Sequence, residues 1–322
     1  MSSRTETLPA PTQLSPGLAA GTGAGLHPAW RWLLPPAVLG LAWWWLLRHA
    51  DFTQVLAQGR RLPAGLWLLA GLALLGGHGL RAWRLRDEWR HLRTVPWLQV
   101  LRLVLAHNAA VLLMPLRSGE AGYLWLVHRT WGVDWREAAR SLLWWRVQDA
   151  TVLALLALLC LAPLGWPARV VLAVAALVAA ATLAPCVQRG AERLLLRRKG
   201  HAAAPPRRDP HAGFGIAAAI WLTKVLVLGG LVAALTGLGL ELSWRTSLGG
   251  ELGGVMPVQG PAGLGSYEAG AWLAAPGRPL PVTTGQALIA AVLAVHAFSV
   301  AVALGAAALI HLPLWRDRRP MR

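Results

Sequence analysis

Charge is what this sequence has least of: only 14% of its 322 residues are Asp, Glu, Lys or Arg, against roughly 25% in a soluble domain. So small a polar complement cannot cover a water-exposed body, and a soluble fold is excluded. Carboxylates are the scarcer sign, 14 against 31 Lys and Arg. Cysteine is nearly absent. Cys160 and Cys186 each sit inside an apolar run without CxxC spacing or a His partner nearby, and they read as small packing residues rather than metal or redox groups. No GxxxxGK[ST], no HExxH and no Asp-rich cluster occurs, which argues against a pump that binds ATP through a P-loop and against a metalloenzyme. No cofactor or metal is expected.

What is there in quantity is apolar sequence, 56% of the chain. Runs near the roughly 18 residues that mark a bilayer-spanning helix fall at about 32–47, 63–82, 141–162, 167–188, 213–237 and 284–312. The net charge of +17 does not indicate nucleic acid, because the Arg residues cluster at the ends of apolar runs, where the positive-inside rule and anionic headgroups place them. Residues 1–28, rich in Ser, Thr, Pro and Gly, lack the basic start and apolar core of a signal peptide and read as a disordered cytoplasmic tail. The membrane domain then covers 29–312, and 313–322 form a basic cytoplasmic tail.

Charge placement sets the topology. The linker 189–211, the 81–93 stretch and the C-terminal tail are Arg-rich and expected to be cytoplasmic, whereas the Pro163–Pro167 turn carries no charge. The loop 48–62, with Arg48, Arg60 and Arg61, must then face outside. These sides agree only if segment 97–131 enters from the cytoplasm and returns there, and segment 246–275 does the same from outside. The expected fold is therefore all-α and polytopic, with about six full transmembrane helices and two oppositely oriented re-entrant hairpins. The hairpins read Met114-Pro-Leu-Arg-Ser-Gly-Glu120 and Met256-Pro-Val-Gln-Gly-Pro-Ala-Gly-Leu-Gly-Ser-Tyr-Glu268, and opposite entry makes them an inverted repeat of the kind seen in secondary transporters.

A charge at the bilayer centre costs at least about 2.5–3.5 kcal/mol, so it marks a partner or a task. Arg117 and Glu120, and likewise Arg146 and Asp149, are three residues apart, one helical turn; the Arg146/Asp149 face is expected to look toward Glu120. Gly263 and Gly265, beside Gly260 and Pro257, suit either a backbone anion nest or close helix packing. Glu268 follows on the returning helix, while Glu251 lies near the mouth and reads as solvated. His296 lies 28 residues after Glu268, as Gln148 does after Glu120; His296, His78 and His107 read first as packing or hydrogen-bonding residues rather than proton carriers, and Asn108 as a hydrogen bond to a neighbouring helix.

The sequence Pro115-Leu-Arg-Ser-Gly-Glu120, then Arg146-Val-Gln-Asp149, then Pro257 through Glu268 resembles the lysylphosphatidylglycerol synthase transmembrane region, also called flippase-like membrane proteins. The resemblance covers about 60–312. Tyr123 and Tyr267 stand where that family often has a basic residue, and Ala262-Gly263 replaces a Gly-Gly pair; these departures bear on headgroup preference rather than fold. The resemblance implies a lipid translocator of a bacterial-type inner membrane, handling an anionic or isoprenoid-type lipid. The chain runs only ten residues past its last span, so the soluble aminoacyl-transfer domain of fused relatives is not expected, nor is enzymatic activity. Partners would be membrane lipids, with a homo-oligomer or an envelope-lipid biosynthesis partner both compatible with the sequence. The rival readings are an accessory scaffold of envelope-lipid assembly and a membrane-embedded lipid-modifying enzyme.

Overall fold

A computed structural model describes residues 44, 48, 52–90, 95–114, 117–196, 211, 213–256, 259–275 and 282–311. Among them are ten α-helices and no strands: α1 (Phe52–Arg61), α2 (Ala64–Trp89), α3 (Trp97–Leu113), α4 (Glu120–Trp131), α5 (Trp135–Leu161), α6 (Trp166–Leu196), α7 (Phe214–Thr236), α8 (Leu240–Gly254), α9 (Ser266–Ala274) and α10 (Val282–Ile310). Four of them, α5, α6, α7 and α10, are long and apolar enough to cross a membrane. A fifth span results if α1 and α2, bent by 94° at their junction, are taken together. The expected first span, the two tails, Pro115, Pro257 and most of the 189–211 linker lie outside the described residues.

Helix ends explain several differences from the expected boundaries. Residues 52–61, read as a loop, form α1, and Pro63 in extended backbone opens α2. The second span does not stop at residue 82: α2 runs on to Trp89 and carries Arg81, Arg84 and Arg86 with it. Asp134 caps α5 by accepting the Arg136 backbone N–H at 2.9 Å, so this helix begins six residues before the expected 141. Helix α6 continues to Leu196, making the first part of the linker helical. Gly237, at φ 71°, ends α7, and α8 starts at Leu240 rather than near 246.

Three apolar cores hold the bundle. Leu85, Val100, Val104 and Val127 join α2, α3 and α4. Leu74, Leu228, Ala271 and Leu288 join α2, α7, α9 and α10. Val152, Val225 and Leu248 join α5, α7 and α8. Large apolar side chains also face outward, among them Leu68, Leu69 and Leu72 on α2 and Val171, Leu177 and Val178 on α6; an outward apolar face of this kind is suited to lipid tails. Where helices meet closely, small residues permit it. A Cβ on Gly249 or Gly270 would collide with the backbone across the α8–α9 contact, as would one on Gly253.

The two chain breaks have a common form. Met114 leaves α3 in extended backbone, and Gly119 then lies directly against the α3 backbone at Ala110 and Val111. After α8, a single 3₁₀ turn (Pro261–Gly263) leads into α9. Each helix after the break carries a glutamate in its first turn, Glu120 or Glu268. The residue three positions before that glutamate has a positive φ in both cases, 54° at Arg117 and 85° at Gly265.

Candidate functional site

Both breaks border one cavity of about 180 Å³, far above the roughly 10–15 Å³ that a single water requires. Its wall takes Arg117 and Tyr123 from the first break region, and Ala262, Gly263 and Tyr267 from the second. The remaining wall comes from α2, α3, α5, α7, α8 and α10.

A chain of alternating charges runs along one side. Arg84 Nη1 donates to Asp149 Oδ1 at 2.8 Å, and Asp149 Oδ2 accepts from Arg146 Nη1 at 3.4 Å. Arg146 Nη2 then meets both oxygens of Glu120, at 2.6 and 2.8 Å, and Glu120 Oε1 also accepts from Arg117 Nη2 at 2.7 Å. Arg84 further donates to the Trp145 carbonyl and to Gln148 Oε1. His107 Nε2 lies 3.8 Å from Glu120 Oε2. Three guanidiniums thus share two carboxylates. Arg81 lines the same cavity and has no carboxylate within ion-pair distance among the described residues; its hydrogen-bond contact there is with His78 Nδ1, at 3.5 Å.

The second side is built from isolated pairs. Lys224 Nζ donates to Glu251 Oε2 at 2.6 Å, joining α7 to α8. His296 Nδ1 lies 2.6 Å from Glu268 Oε1, joining α10 to α9, and Glu268 Oε2 accepts the Gly265 N–H at 2.7 Å. The His296 ring stacks on Tyr267 at 4.0 Å. Several buried polar atoms of the wall have no hydrogen-bond partner: Arg84 Nε, Arg146 Nε, His107 Nδ1 and Gln259 Oε1. Buried polar atoms are ordinarily paired, so unpaired ones around a cavity of this size suit a polar occupant. Among the described residues, no group of three His, Cys, Asp or Glu side chains can hold a metal ion.

The structure places the sequence candidates as follows. Arg117, Glu120, Arg146 and Asp149 form one continuous network, and Arg146 does turn toward Glu120. Gly119 serves packing against α3. Gly263 and Gly265 do not form an open anion nest, because the Gly263 N–H is bonded to the Gly260 carbonyl and the Gly265 N–H to Glu268. Glu251 is not solvated: it is 3% exposed and paired. His296 has the hydrogen-bonding role, with Glu268 as its partner. Gln148, the counterpart of His296 by spacing, bonds Arg84 and not Glu120. Asn108 lines the cavity and makes no bond to a neighbouring helix among the described residues. Tyr123 is fully buried, 3.0 Å from Ser141 Oγ.

Arg81, Arg84 and Lys224 were not among the candidates. The two arginines follow directly on an apolar run and so read as interface anchors, whereas Lys224 is the one basic residue of the 213–237 run, an intramembrane charge that was a usable signal and was passed over.

An all-helical bundle with four or five candidate spans, enclosing a charged cavity, defines a polytopic membrane protein. The lysylphosphatidylglycerol synthase TM region family matches residues 32–307, and the chain belongs to that family. No curated protein matches the chain.

Proposed function

We propose that this protein moves a lipid across a bacterial-type inner membrane, with an anionic headgroup or isoprenoid-linked phosphate occupying the cavity and the acyl or isoprenoid tail remaining in the bilayer. The observation that carries this reading is the charge surplus of the cavity wall. Arg84, Arg146 and Arg117 share Asp149 and Glu120, and Arg81 adds a cation with no carboxylate at ion-pair distance among the described residues. Unbalanced charge is costly at membrane depth, and an anionic headgroup would balance it. The two helix breaks support the same reading, since interrupted helices are tolerated in a bilayer where they line a wet cavity, and paired interruptions mark transporter sites. In this arrangement α3–α4 and α8–α9 are the two re-entrant hairpins, entering from opposite faces, with both termini cytoplasmic. Catalysis is not part of the proposal.

The test is a leaflet-exposure assay in liposomes that contain fluorescent anionic, zwitterionic and isoprenoid lipids, comparing wild type with Glu120→Gln. Faster translocation of one anionic class, reduced at least about tenfold in the variant, is expected. No translocation of any class by folded protein would overturn the transport reading in favour of the scaffold, and a chemically altered lipid would favour the enzyme.

A further inference from the structure

The charge chain accounts for α2, α4 and α5, but the Glu268–His296 pair on the opposite wall has no role in it. Both side chains are almost wholly enclosed, with 0% and 5% exposure. Both oxygens of Glu268 are engaged, one by His296 Nδ1 and the other by the Gly265 N–H. A carboxylate so placed orients the imidazole with Nδ1–H toward Glu268 and leaves Nε2 as the other ring nitrogen. The other edge of the imidazole lies beside Gly263: a Cβ added there would be 3.7 Å from Cε1 and 3.8 Å from Nε2 of His296. Nε2 has no hydrogen-bond partner among the described residues, and both Gly263 and His296 belong to the cavity wall.

We propose that His296 is a proton-loading site coupled to anion binding, so that the protein carries its lipid together with a proton. This rests on the lipid-transport reading and deepens it. The step is one proton from cavity water to His296 Nε2, giving an imidazolium balanced by Glu268, and its return to water when the cavity opens on the other side. No bond other than N–H forms or breaks. The imidazolium adds a positive charge to a wall that already carries a surplus of it, so proton and anion would favour each other reciprocally.

The charged and titratable groups around this site come from every element of the wall. Tyr267 stacks on the ring from α9, and Glu251 on α8 is paired with Lys224 on α7. His78, Arg81 and Arg84 face the cavity from α2, His107 from α3, Arg117 and Tyr123 from the first break region, and Arg146 and Asp149 from α5. Among these groups, Nε2 is an imidazole nitrogen of the cavity wall with no hydrogen-bond partner among the described residues.

The experiment uses the full chain in detergent. Binding of dihexanoyl-phosphatidylglycerol is measured at pH 6 and pH 8 in buffers of different ionisation enthalpy, for wild type and His296→Gln. The expected result is binding at least about fivefold tighter at pH 6 than at pH 8, with proton uptake of up to one per lipid, and loss of both effects in the variant. Affinity independent of pH, or an unchanged pH effect in His296→Gln, overturns the proposal. In parallel, the His296 ¹⁵N signals of labelled wild type are followed from pH 5 to 9. Signals that do not move overturn the proposal however the lipid binds. Signals that move in a protein that binds no lipid at either pH would overturn the coupling together with the anionic-lipid reading, which separates that failure from failure of the dyad alone.

Discussion

Asp149 stands between two arginines that approach from different helices, Arg84 on α2 and Arg146 on α5. Replacing it with Asn leaves Arg84, 5% exposed, without any carboxylate. Removing one partner of a buried pair costs about 3–5 kcal/mol, and the 17% exposure of the Asp149 side chain places this case at the lower end. A thermal-unfolding cycle in detergent checks it: Asp149→Asn is expected to destabilise strongly alone and much less in an Arg84→Gln background, because neighbours in one network are not additive. Equal losses in both backgrounds would mean that the pair is not coupled. Local backbone shows the same economy of position. Ala262 has φ 57°, a conformation that disfavours any side chain with a Cβ, and it is the position where the family resemblance leads one to expect glycine. The sequence departure therefore falls on a residue whose backbone favours glycine.

At the scale of the elements, the tightest joint is α8 on α9. Gly253 meets the Ser266 carbonyl, and Gly249 and Gly270 face each other's backbone. A methyl group there must push two helices apart, so Gly253→Ala is expected to cost about 1–3 kcal/mol. Gly230→Ala on α7, with nothing within 4 Å of the added Cβ, is expected to be neutral or slightly stabilising through helix propensity. Melting temperatures of the two variants in one detergent provide the check, and a harmless Gly253→Ala would show that the helices are not in contact there. The two chain breaks, one between α3 and α4 and one between α8 and α9, were legible because Met-Pro and clustered Gly interrupt apolar runs. The inward course of Arg84 was not. A basic turn at the end of an apolar run reads the same whether it reaches for headgroups or for a carboxylate, and its partner Asp149 is 65 residues away. Glu251 was misread for a similar reason, since Lys224 lies 27 residues earlier on another helix.

For the whole molecule, the family and the helical architecture were readable from composition and motif order, while sidedness rests on Lys and Arg placement. It can be measured with single cysteines in a chain lacking Cys160 and Cys186. Arg129→Cys is expected to react from the cytoplasmic side, and Leu164→Cys and Glu241→Cys from the opposite side; all three positions are exposed. Reaction of positions 129 and 241 from the same side would end the inverted arrangement of the hairpins. The ion pairs described above have one more consequence. The arginine chain ties α2, α4 and α5 to one another, and the remaining cavity pairs tie α7 to α8 and α9 to α10. Among the described residues, no ion pair links the first group to the others across the cavity. The molecule therefore has a seam through its centre crossed by apolar contacts, and lipid tails can replace such contacts at little cost. If the protein moves lipid as proposed, parting along that seam would open a sideways gate for a headgroup while the ion pairs described above stayed closed.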